Sequence, residues 1–124
     1  MKRILKTRTF SRWMRKTSLE DRMLCRAIEE MERGLVDADL GGSIFKKRIA
    51  LPGRGKSGST RTLIATNREN RWFFLYGFEK NARDNITQAE LTYLQVAAQV
   101  FLGYSNVELE SAIAIGEFIE VQHD

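Results

Sequence analysis

The sequence predicts an α+β fold. An N-terminal helical hairpin packs on a mainly antiparallel sheet of three to four strands, followed by a C-terminal helix and an acidic tail. Three observations carry this. Apolar residues recur at helical spacing through residues 10–35 and again through 91–102. Between these stretches lie three β-branched or aromatic runs joined by short connections, which favours antiparallel pairing. Charge is also divided along the chain. Residues 1–83 carry all 20 Lys and Arg with a net charge of +11, whereas residues 84–124 carry no Lys or Arg and a net charge of −7.

The 124 residues suffice for one domain with its own core, here 1–104, with 105–124 as an acidic extension. The single cysteine, Cys25, excludes a disulfide framework and fits a reducing, cytoplasmic location. No apolar run approaches the roughly 20 residues of a membrane span. The basic N-terminus lacks the apolar stretch of a signal peptide, although its acid-poor composition also suits a transit peptide.

Arg3–Lys6 is a candidate first strand. Thr9 or Ser11 can cap a helix whose stripe is Phe10, Trp13, Met14 and Thr17, with Arg12, Arg15 and Lys16 outward. Ser18 can cap a second helix with the stripe Met23, Leu24, Ala27, Ile28, Met31 and Leu35, stopped by Gly34. Residues 35–42 suit a loop and residues 43–51 a strand. In that strand Lys46 and Arg48 share one face, and Lys47 takes the other. Residues 60–66 and 71–78 complete a meander through a turn at 67–70, with 71–78 central. Thr87 to Glu90 has capping-box form and opens a helix that runs to Leu102. A short acidic helix to about Ile115 and a strand-like 118–121 finish the chain.

The functional signal is the stretch 40–68, which holds Lys46, Lys47, Arg48, Arg54, Lys56, Arg61 and Arg68 and no acid. Its centre, 52–61, is a glycine-studded basic loop. Residues 50–57 fit a relaxed Walker A pattern, but that motif requires a helix immediately after Lys56-Ser57. The following residues favour a strand, and no apolar run ends in a magnesium-binding Asp. Glycines allow close backbone approach, and Arg grips phosphate bidentately, so the loop suits an RNA backbone. Trp72, Phe74, Tyr76 and Phe78 alternate along a strand that follows. Most suit a core, and Tyr76 is the best candidate to face a ligand because its hydroxyl needs a polar partner. A catalytic Cys25 would need a basic partner, and His123, the single histidine, lies near the chain end.

The run 55–61, a strand, then 73–81 and Asn85-Ile86-Thr87 resemble RelE-like toxins of type II toxin–antitoxin systems, most closely the HigB-type branch. The resemblance covers roughly residues 1–103. It implies the RelE/ParE-like fold and a ribosome-dependent endonuclease that cuts mRNA and inhibits translation. It also implies a helix-turn-helix antitoxin as partner, operator DNA bound only through that antitoxin, and no membrane. By the same resemblance Arg61, Lys56 and Lys80 are catalytic candidates, and the reading of the residues adds Tyr76 to them. The resemblance makes Arg54 and Arg83 RNA-binding candidates, and the basic stretch itself adds Lys46, Lys47 and Arg48. The usual Gly-Gly pair of the loop is Gly58-Ser59 here.

Cleavage through the RNA 2′-hydroxyl needs no metal, no cofactor and no protein nucleophile. It needs in-line orientation, two proton transfers and charge stabilisation. Arg61 suits the charge, a Lys suits the base, and Tyr76 suits either proton donation or base stacking. Two other readings fit the basic patch: a ParE-type gyrase poison and a non-catalytic nucleic-acid-binding module. The acidic extension suits a contact with the antitoxin or with a second copy of the chain, or a cover over the basic cleft.

Overall fold

The computed structural model describes residues 2–51, 59–83 and 85–123. The elements in order are β1 (Arg3–Thr7), α1 (Arg8–Met14), α2 (Asp21–Glu32), β2 (Ala38–Gly41), β3 (Ile44–Ile49), β4 (Thr60–Thr66), β5 (Arg71–Glu79), α3 (Gln88–Leu102), α4 (Asn106–Ala114) and β6 (Phe118–Glu120). The strands form one sheet of six in the order β2-β3-β4-β5-β1-β6. Pairing is antiparallel except between β1 and β5, which run parallel.

The sheet exceeds the expected three to four strands at both edges. Residues 38–41, expected in a loop, pair with β3 as a short edge strand despite their Asp and Gly. At the other edge β6 pairs with β1, so residues 105–123 add a helix and a strand to the same sheet.

Helices cover both faces. α1 and α2 enclose one core with Ile4, Phe45, Ile64, Trp72 and Phe74, and α3 and α4 enclose the other with Leu5, Leu63, Ala65 and Phe73. This explains why β5 reads as a nearly unbroken apolar run: it is interior and buried on both faces.

Three expected helix details differ. Thr7, not Thr9 or Ser11, caps α1, because the helix starts where β1 ends and the Thr7 hydroxyl accepts from Phe10 N at 3.0 Å. α2 starts after Glu20 without a side-chain cap, two residues beyond Ser18. The approach is fixed instead by Thr17 Oγ1, which accepts from Leu19 N. Leu35 lies past the helix and is 56 % exposed. The α3 capping box forms as expected, and α4 has a second one from Ser105 and Glu108.

Candidate functional site

The site is assembled by strand register. Directly opposed residues in antiparallel strands share a face. Arg48 opposes Arg61, and Arg61 opposes Phe78. One step along the sheet, Lys46 opposes Leu63, and Leu63 opposes Tyr76. Lys46, Arg48, Arg61, Tyr76 and Phe78 therefore lie on one face, the face that α3 and α4 cover elsewhere.

A β-bulge makes this possible. Phe74 pairs with Ile64, but Tyr76 pairs with Leu63, so Leu75 is an extra residue in β5. Simple alternation would put Tyr76 and Phe78 on the face of Trp72 and Phe74, as the sequence pattern suggests. The bulge turns them to the opposite face, beside Arg61. Bulges re-aim side chains in this way.

Arg61 is half-buried, and its guanidinium donates to Ser59 Oγ at 3.1 Å. Neither Arg61 nor Lys46 has a carboxylate partner among the described residues. Arg48 reaches Asp37 at 3.7 Å, a loose contact at the sheet edge. Tyr76 and Phe78 lie with ring centroids 6.2 Å apart. The Arg83 guanidinium stands over the Phe78 ring at 5.7 Å. Lys80 is exposed in the turn after β5, at the same end of the sheet.

Arg83 is held in place. It makes a two-pronged contact with Glu90, at 2.6 and 3.0 Å, and donates to the Asn85 carbonyl at 2.9 Å. The bond to Glu90, ahead of a smaller contribution from Tyr76, raises the Arg83 pKa further. In return Glu90 is pushed down to about 2, first by Arg83 and then by the Thr87 backbone N–H. The sequence identified Glu90 as a capping residue but carried no signal for its second role as the clamp on Arg83.

Lys47 stands apart from Lys46 and Arg48. It points to the opposite face, is buried, and pairs with Glu30 of α2 at 2.8 Å. Strand alternation separates it from Lys46 and Arg48, so it does not join this surface. Arg54 and Lys56 fall in 52–58, outside the described residues. A strand, not a helix, begins at Thr60, which fits poorly with a Walker loop. Glu110 and Glu120 bind Arg3 at the start of β1. Because β1 runs parallel to β5, these acids sit at the far end of the sheet from Arg61. They do not cover the cationic face.

No group of His, Cys, Asp and Glu suited to a metal occurs among the described residues, and none of their helices is long and apolar enough to cross a membrane. A family model described as the RelE toxin of the RelE / RelB toxin-antitoxin system matches residues 2–121, nearly the whole chain. No curated protein matches it.

Proposed function

Since the chain belongs to the RelE toxin family and is thus the toxin of a toxin–antitoxin system, we propose that it is a ribosome-dependent mRNA endonuclease of the HigB type. The observation that supports this is that Lys46, Arg48 and Arg61 share one sheet face by the β3–β4 register and that the β5 bulge turns Tyr76 to the same face. Lys46 and Arg61, which have no carboxylate partner among the described residues, attract a polyanion, and an aromatic beside them offers a base a stacking surface.

In this reading the RNA backbone crosses the strands over Arg61. The 2′-oxygen attacks the adjacent phosphorus and the 5′-oxygen leaves, giving a cyclic phosphate and a free 5′-hydroxyl. Lys56 takes the 2′ proton and Tyr76 protonates the leaving oxygen. Arg61 holds the charge that builds on the non-bridging oxygens. Lys46, Arg48, Arg54 and Lys80 position the strand, and Arg83 sets the Tyr76–Phe78 edge. The protein acts in the cytoplasm. Its antitoxin is of helix-turn-helix type and carries the complex to operator DNA.

The test is cleavage of mRNA on programmed ribosomes, read as new 5′ ends. Arg61→Ala should lower the rate by about 10²-fold or more while ribosome binding persists. Arg61→Lys should recover little, because a point charge cannot grip phosphate bidentately. Undiminished cleavage by Arg61→Ala would refute the catalytic assignment. Gyrase-linked DNA breaks with translation intact would refute the endonuclease reading.

A further inference from the structure

On the side of the sheet that α2 covers, a cleft of about 470 Å³ opens between α2 and β3. The chemistry above uses nothing on its α2 side. Cations outnumber carboxylates there. Arg22 and Arg26 line it from α2, and Lys47 and Arg48 from β3, against Glu30 and Asp37. Both carboxylates are already engaged. Lys47 holds Glu30 at 2.8 Å, and the Arg48 backbone N–H donates to Asp37 at 2.6 Å. Arg22 is turned to Glu20 at 2.8 Å in an exposed pair. Arg26 is exposed and has no carboxylate partner among the described residues. Arg22 and Arg26 stand at i and i+4, where like charges destabilise a helix. An anion held between them would relieve that repulsion. Met23, Ala27 and Ile49 supply the apolar part of the lining.

Strand register points to what reaches this cleft. β2 pairs with β3 only as far as Lys46, which opposes Ala38. Among the described residues no strand lies outside Arg48 and Ile49. Arg48 opposes Arg61 across the β3–β4 pair and also lines the cleft. Ser59, which accepts from Arg61 at 3.1 Å, lines it too. The cleft and the Arg61 surface therefore meet at these two residues. A polyanion crossing the strands over Arg61 arrives next at Arg48 and then at the sheet edge. Turning round that edge brings its following phosphate to Arg26 and Arg22.

We propose that this cleft holds a flanking nucleotide of the RNA strand that crosses Arg61, its phosphate on Arg26 and Arg22 and its base against Met23 and Ile49. The strand thus passes from one face of the sheet to the other around the end of β3. The proposal rests on the RNA reading above and on none of the catalytic roles assigned there.

The experiment measures binding of 2′-O-methyl oligoribonucleotides, which lack the attacking hydroxyl, to the full-length protein by fluorescence anisotropy. A trinucleotide reaches Arg61 and Arg48, and an octanucleotide also spans the cleft. Wild type should bind the octanucleotide more tightly by about tenfold or more. Arg26→Ala should remove most of that gain and leave trinucleotide affinity as in wild type. It should also reduce the slope of log affinity against log salt for the octanucleotide by about 0.7, the share of one phosphate contact on a single strand. Met23→Ala should weaken the octanucleotide and not the trinucleotide. Arg33→Ala removes the same charge just past the other end of α2 and should change either affinity by less than about twofold. Thermal unfolding of Arg26→Ala should stay near wild type, since its side chain lies at the surface. Wild-type octanucleotide affinity in Arg26→Ala overturns the proposal. So does an equal loss in Arg33→Ala, because that result reduces the cleft to general charge attraction. So does reduced self-association in Arg26→Ala, read by sedimentation, with RNA affinity unchanged, because that assigns the cleft to an acidic surface of a second copy. Wild type that binds the trinucleotide and gains nothing from the octanucleotide overturns the proposal and leaves the RNA reading standing. Binding of neither overturns both.

Discussion

At the scale of the residue, Glu90 shows how one carboxylate serves two ends. Its Oε1 accepts from Thr87 N at 2.7 Å, closing the capping box of α3, and from Arg83 at 2.6 Å. Both contacts favour the charged form, which is why its pKa falls from an ordinary 4.5 to about 2. The stabilisation is fully present above about 4.5 and is lost as pH falls through about 2. Glu90→Gln should flatten the stability profile across that window, measured by denaturant unfolding at successive pH values. A profile as steep as wild type would mean that other carboxylates set it, such as Glu108 at Ser105 or Glu120 at Arg3, both also lowered. Glu90→Gln should also loosen Arg83 from Phe78 and lower cleavage without abolishing it.

At the scale of the element, the end of β5 is shaped from both sides. On the face away from Arg61, Gly77 lies under the ring of Trp13 from α1. A Cβ at Gly77 would come within 2.2 Å of that ring. The φ of Gly77 is ordinary, so it is space and not backbone freedom that requires glycine. Gly77→Val should displace Trp13 and cost about 1–3 kcal/mol, measured by chemical denaturation. It should also disturb Tyr76 and Phe78 next door, reducing cleavage more than stability alone explains. An unchanged midpoint would refute the tight packing. The sequence made these elements visible unevenly. The α3 helix was legible because Thr87, Glu90 and the apolar stripe agree on one period. The bulge was not, because Leu75 is as apolar as its neighbours and period-2 alternation continues through it without a break. Lys47 was assigned to the correct face of β3. Its Glu30 partner is 17 residues upstream, on another element, and no local pattern reveals such a pairing. β2 was hidden because an edge strand of four residues needs little β propensity once β3 supplies the template.

At the scale of the molecule, the charge division seen along the chain becomes a spatial arrangement. Arg3 binds both Glu110 and Glu120, and buried Arg71 donates to the Tyr104 carbonyl and to Asn106 Oδ1 at the start of α4. Two cations of the basic body thus tie down the acidic segment at one end of the sheet, while Arg61 at the other end has no carboxylate partner among the described residues. Composition alone revealed the division but not which cations would be used up, because that depends on the parallel pairing of β1 with β5, a contact across 68 residues. The same arrangement bears on removal of residues 105–124. Leu109 and Phe118 are essentially buried, and Phe118 meets Phe101 edge-on with centroids 4.8 Å apart. Losing one such aromatic to alanine costs about 3–5 kcal/mol. Whole domains have only about 5–15 kcal/mol of stability to lose. Truncation at residue 104 would remove both side chains, strip β1 of its outer neighbour and leave Arg3 without either carboxylate. The truncated chain should lose its cooperative unfolding transition and near-ultraviolet dichroism, and lose toxicity as a consequence. Phe118→Ala should sit between the two, folded but with a clearly lower midpoint. A truncated chain that unfolds with the wild-type midpoint would show instead that residues 105–124 are a passive addition to a domain complete at 104.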